Sequence, residues 1–213
     1  DAERKIFSLA ERRLEGSAVP VSKILKGTFE YLERLYERKE FVTGLPTGIV
    51  ELDKMTAGLQ KSDLILVAGR PSMGKTAFAL SIAQYVGTNL HAKVLILSLE
   101  MSAQQIALRM LSSESRTDSL SVRTGNFANA DWTRLVAAAD RLSGAPMFID
   151  DSPGLTGLEV RAKARRMKAE HGLDLLVIDY LQLMRGRNAM ESRQQEISEI
   201  SRSLKALAKE LNV

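Results

Sequence analysis

The sequence predicts an α/β protein with a mainly parallel central sheet flanked by helices and preceded by a helical linker. From residue 64 onward, short apolar runs alternate with longer stretches of helical periodicity, the signature of parallel strands joined by crossover helices. Two of the runs, Leu64-Ile65-Leu66-Val67-Ala68 and Leu175-Leu176-Val177-Ile178, lack polar alternation, as expected of central strands covered on both faces. The first forty residues differ, with apolar positions at helical spacing and no strand-like segment.

Taken in order, Ile6, Ala10 and Leu14 form one stripe over residues 3–14. After a break at Gly16-Ser17-Ala18-Val19-Pro20, Ser22 is a suitable N-cap for a second helix carrying Leu25, Phe29, Leu32 and Tyr36 at steps of four, three and four. That stripe needs a cover, either its own domain or a neighbouring subunit. The Gly- and Pro-punctuated stretch Thr43-Gly44-Leu45-Pro46-Thr47-Gly48 places a domain boundary near residue 42. Strands are predicted at 64–68, 94–99, 147–149 and 175–178, and helices at 76–86, 103–113, 158–170 and 192–211. Between them, Trp132, Leu135, Val136, Ala139 and Leu142 read as the inner stripe of another helix, with Trp132 as a core anchor.

Composition narrows the chemistry. The 213 residues are 45% hydrophobic and 26% charged, and no apolar run approaches the roughly 18 residues of a membrane span, so a cytoplasmic protein without a membrane partner is expected. The absence of cysteine excludes disulfides, thiolate metal sites and cysteine nucleophiles, and His91 and His171 are too few for an imidazole-based zinc site. A net charge of +4 is compatible with a polyanionic partner without requiring one.

The strongest signal is Gly69-Arg70-Pro71-Ser72-Met73-Gly74-Lys75-Thr76, which fits G-x-x-x-x-G-K-[ST] between a predicted strand and a predicted helix. Backbone N–H groups in such a loop converge on phosphate oxygens at the positive end of the helix. Lys75 then reaches the β- and γ-phosphates of a bound nucleotide, and the Thr76 hydroxyl ligates Mg²⁺. A second magnesium ligand is expected at the end of another strand, and Asp179 supplies it. Glu100 closes the 94–99 run and should reach the same carboxyl edge, either as a base for the attacking water or as a cap for the helix beginning near Ser102. Asp150-Asp151, before Ser152-Pro153-Gly154, read as a turn in preference to further metal ligands. For nucleic acid, the segment after Asp179 with Arg185, Arg187 and Arg193 is a better candidate than the basic helix around Arg161, Lys163, Arg165, Arg166 and Lys168, because it leaves the catalytic edge.

Together these residues resemble RecA-type ATPases and, more narrowly, the replicative DNA helicases of the DnaB family. The resemblance rests on Gly44-Leu45-Pro46-Thr47-Gly48 with Leu52-Asp53, the 69–76 loop, Ser98-Leu99-Glu100-Met101-Ser102, Arg123-Thr124-Gly125, Ile178-Asp179-Tyr180-Leu181-Gln182-Leu183, and Arg193-Gln194-Gln195-Glu196-Ile197, in that order. It implies that residues 1–42 are the end of a helical N-terminal region with its linker helix, and that 43–213 are a RecA-like ATPase domain. By the same resemblance this domain is C-terminally incomplete, since the family's arginine finger and main DNA-contacting loops follow later. Glu100 falls on the family's catalytic glutamate. A homohexamer acting on single-stranded DNA at the replication fork, with primase and a helicase loader as partners within the bacterial nucleoid-associated replication machinery, is the implied assembly. Rival readings are another RecA-type ATPase, either a recombinase or a protein-acting ring, and a nucleotide-binding assembly fragment without turnover.

Overall fold

The computed structural model describes residues 18–38, 41–185 and 192–213, and the chain divides into two compact units between Phe41 and Val42. In the first unit, α1 (Val21–Arg38) is amphipathic, and Leu25, Phe29, Leu32 and Tyr36 are all exposed. The stripe expected over residues 3–14 lies outside the described residues.

The second unit contains α2 (Val50–Thr56), α3 (Lys75–Leu90), β1 (Val94–Ser98), α4 (Ala103–Ser115), α5 (Ser119–Thr124), α6 (Asn129–Ser143), β2 (Met147–Asp150), α7 (Gly157–Glu170), β3 (Leu175–Asp179), a 3-10 turn (Leu181–Leu183) and α8 (Arg193–Leu211). The strands form a parallel sheet in the order β2-β1-β3, with Leu97 opposite Asp150 and Ser98 opposite Asp179. All five residues of the central strand β1 are buried. Because side chains alternate along a strand, Leu95 and Leu97 enter one core with Val160, Ala164 and Met167 of α7 and Ile200, Leu204 and Leu207 of α8. Val94 and Ile96 enter a second core with Leu80, Ala83 and Val86 of α3 and Ile106 and Met110 of α4. The unpatterned run at 175–178 is thereby accounted for by a sheet with helices on both faces, Leu176 and Ile178 packing on the first core and Leu175 and Val177 on the second.

Two expectations are corrected. The 64–68 run makes no ladder among the described residues, and Ile65, Leu66 and Val67 are exposed while Leu64 packs on the α7/α8 core. Apolar composition makes a segment ready to form a strand, but a strand needs an adjacent edge to take its N–H and C=O groups. The start of this run is instead tied to the end of α8: Ser62 N–H donates to the Val213 carbonyl at 3.0 Å and Lys205 Nζ to Asp63 at 2.9 Å. The second correction concerns Trp132, which is 59% exposed and is no core anchor. The buried face of α6 runs through Leu135 and Ala138, and Trp132 lies outside it, stacked on the ring of Phe127 at 5.9 Å.

Candidate nucleotide site at the carboxyl edge of the sheet

Three residues separate the end of α3 from the start of β1, and Ala92 N–H folds back to the Val86 carbonyl at 3.2 Å, so α3 runs antiparallel to the strand it packs against. Its N-terminus therefore stands at the carboxyl edge of the sheet, preceded by the 69–76 loop. Ser72 (φ +64°) and Gly74 (φ +86°) are both left-handed, which curls the loop in front of the helix. A Cβ on Gly74 would meet nothing within 4 Å, so its glycine answers a backbone requirement and no steric one. Lys75 curves back over this loop, with Nζ donating to the carbonyls of Gly69 at 2.9 Å and Arg70 at 3.1 Å.

On the adjacent strands, Leu99 N–H donates to the Asp179 carbonyl at 2.7 Å, extending the β1/β3 pairing one residue past Ser98. The segment carrying Glu100 is thus pinned to the residue that ends β3. Glu100 is exposed and has no hydrogen-bond or ion-pair partner among the described residues. It is not the cap of α4, a role filled by Ser102, which accepts from Gln105 N–H while the Gln105 side chain accepts from Ser102 N–H. Half-buried Asp179 likewise has a carboxylate without a partner among the described residues.

The other acids at this edge are engaged. Burial of Asp150 pushes its pKa up, but hydrogen bonds from Lys163 and Ser152 outweigh it and hold the carboxyl below the usual range. Asp151 accepts from Ala103 N–H at 2.8 Å, at the start of α4. The pair therefore builds a turn. Asp174, at the opposite edge, accepts from Lys93 N–H at 2.8 Å. His171 ends α7 and stacks on Phe148 at 4.8 Å.

Of the basic candidates, Arg185 is exposed, with its backbone N–H donating to the Leu155 carbonyl at 3.0 Å, and Arg187 lies outside the described residues. Arg193 is held internally, donating to the carbonyls of Gln182 and Met184 and pairing with Glu196. The basic helix α7 is also largely spoken for: Arg161 and Arg165 both pair with Glu210 of α8, Arg166 with Glu170, and Lys163 with Asp150. Sequence reasoning missed Ser98, whose hydroxyl spans to Met101, because a serine ending a strand carries no distinguishing signal.

A parallel sheet between helical layers, with a G-x-x-x-x-G-K-[ST] loop opening α3 and, on neighbouring strand ends, two carboxylates unpaired among the described residues, defines a P-loop α/β protein of the ATPase-domain type. The family model described as "DnaB-like helicase C terminal domain" matches residues 44–213, and the chain belongs to that family. Over its whole length it is 51% identical to "Replicative DNA helicase DnaB" of Geobacillus stearothermophilus and 48% identical to "Replicative DNA helicase DnaC" of Bacillus subtilis. It spans 47% of each of these, about half the length of the curated relatives it matches. Among solved structures it is similar to one described as an ATPase domain (TM-score 0.85, 33% identity, 92% of this chain and 69% of that one). It is also similar to a DnaB-like replicative helicase whose structure is described together with its interactions with primase (TM-score 0.79, 33% identity, 99% of this chain and 55% of that one). No helix among the described residues is long and apolar enough to cross a membrane.

Proposed function

We propose that this chain is the ATP-hydrolysing part of a replicative DNA helicase, in which hydrolysis drives movement along single-stranded DNA and unwinding of duplex at the fork. Residues 43–213 are the RecA-like ATPase domain and 1–42 the end of the N-terminal helical region with its linker helix. The observation that carries the reading is the bond from Leu99 N–H to the Asp179 carbonyl, which brings two carboxylates without partners among the described residues to the edge where the P-loop opens α3.

The substrate is Mg-ATP. Residues Gly69, Arg70, Pro71, Ser72, Met73, Gly74, Lys75 and Thr76 wrap the phosphates, with Lys75 exchanging its two loop carbonyls for phosphate oxygens. Thr76 and Asp179 would hold a magnesium ion, whose charge would offset that of the phosphates. The Thr76 hydroxyl and the Asp179 carboxylate are the hard oxygen donors that such an ion would take. Glu100, without a competing partner among the described residues, orients the attacking water and accepts its proton. Arg185 and Arg187 follow β3 in the sequence and contact DNA phosphates, while Arg193 holds the 182–184 segment that precedes Arg185.

The family supports a homohexameric ring with primase and a loader as partners, acting in the bacterial cytoplasm at the replication machinery, and one of the similar structures is described with its interactions with primase. Strand separation tests the reading. The complete protein should unwind a forked duplex with ATP, and a protein that hydrolyses ATP yet exchanges homologous strands or remodels protein without unwinding would overturn it.

A further inference from the structure

Glu100 is placed by its neighbours and not by any bond of its own. Among the described residues no hydrogen bond or ion pair reaches its side chain, yet the backbone on either side is fixed. Upstream, Leu99 N–H is tied to the Asp179 carbonyl. Downstream, Ala103 N–H is tied to the Asp151 carboxylate. The third tie is Ser98, the last residue of β1 and 1% exposed. Its hydroxyl donates to the Met101 carbonyl at 2.7 Å and accepts from Met101 N–H at 3.1 Å, closing residues 98–101 into a single turn with Glu100 at its crest.

We propose that Ser98 is the positioning residue for Glu100, an inference that rests on the reading of Glu100 as the base. Because the hydroxyl serves both polar groups of one residue, its loss frees the N–H and the C=O of Met101 together, and the turn loses the clasp that sets where the carboxylate stands. A misplacement of about 1 Å far from the chemistry is enough to cost as much as roughly 100-fold in rate. The P-loop is on another segment, so nucleotide binding is untouched.

The test is a double-mutant cycle on steady-state ATP hydrolysis by the complete protein, with Ser98→Ala, Glu100→Gln and the pair. Ser98→Ala should lower kcat roughly tenfold and leave KM for ATP within about twofold, and in the Glu100→Gln background it should cost nothing further. Ser98→Cys, near-isosteric but a weak donor, should reproduce the loss without a cavity and stands in if the alanine variant does not fold. Full activity of Ser98→Cys, or an equal loss from Ser98→Ala with Glu100 already replaced, would overturn the proposal in favour of simple packing. Undiminished kcat in Glu100→Gln alone would instead remove the base reading, and this proposal with it.

Discussion

Asp53 takes two hydrogen bonds from one residue: the N–H and the hydroxyl of Thr47 both donate to Oδ1, each at 2.8 Å. Gly48 N–H adds a third at 3.2 Å to Oδ2, and Asp53 is 7% exposed. A Cβ on Gly48 would collide with the Tyr85 ring, so the same knot seats the 43–60 stretch against α3, the helix that the P-loop opens. Removing the acceptor strands the Thr47 N–H in the interior. Asp53→Ala should therefore destabilise the protein by about 2–4 kcal/mol, read by urea unfolding. Asp53→Asn, which turns an amide donor toward one of these N–H groups, should also be destabilising.

The Asp150–Lys163 pair ties the end of β2 to α7. Burial opposes the charged carboxylate, but Lys163 and Ser152 prevail and the folded-state pKa lies below its ordinary value. A depressed carboxyl pKa contributes stability that is fully present above the unfolded value of about 4 and is lost as pH falls through the folded value. Lys163→Met should therefore weaken the protein most at neutral pH, and the difference from wild type should shrink as pH is lowered below about 4. Thermal melts from neutral pH down into the acid range check the sign.

One substitution at two glycines should act in opposite directions. Gly27 lies in the exposed helix α1 and a Cβ there meets nothing within 4 Å, so Gly27→Ala should raise helix stability by up to about 1 kcal/mol. Gly87 lies in α3, where a Cβ would collide with the Met147 side chain at the start of β2. Gly87→Ala should destabilise by about 1–3 kcal/mol despite the better helix propensity of alanine. Circular dichroism melts of the two variants measure both.

Arg185 and Arg193 lie close in sequence and should separate in binding. Both are exposed, but the Arg193 guanidinium is occupied by Gln182, Met184 and Glu196. If Arg185 contacts a phosphate, Arg185→Ala should reduce the salt dependence of single-stranded DNA binding by about one in slope, with little change in melting temperature. Arg193→Ala should lower the melting temperature. Binding titrations over a range of salt concentrations distinguish the two.

The alternation of apolar runs and helical stretches is enough to find β1, β2, β3 and the longer helices between them, because each pattern reports burial on a fixed period, whereas the six-residue α5 buries no side chain and leaves no such pattern. It misleads at 64–68, where composition indicates readiness to pair but pairing depends on a distant edge. It misleads at Trp132 as well, since a step of three from Leu135 leaves an aromatic at the margin of a helix face as easily as within it. The places of the P-loop, Glu100 and Asp179 are legible because each sits at a transition between elements, which the two periodicities locate. Ser98 and the Asp53 knot are not, since their roles depend on which backbone groups the fold leaves unpaired.

Under the proposed function, the P-loop, Asp179 and Glu100 form one ATP-hydrolysing site coupled to DNA. Steady-state ATP hydrolysis by the complete protein, with and without single-stranded DNA, measures it most directly when Lys75→Ala is run alongside. Hydrolysis that rises with DNA and vanishes in Lys75→Ala is the predicted result. Undiminished hydrolysis in Lys75→Ala, or a rate indifferent to DNA, would contradict it.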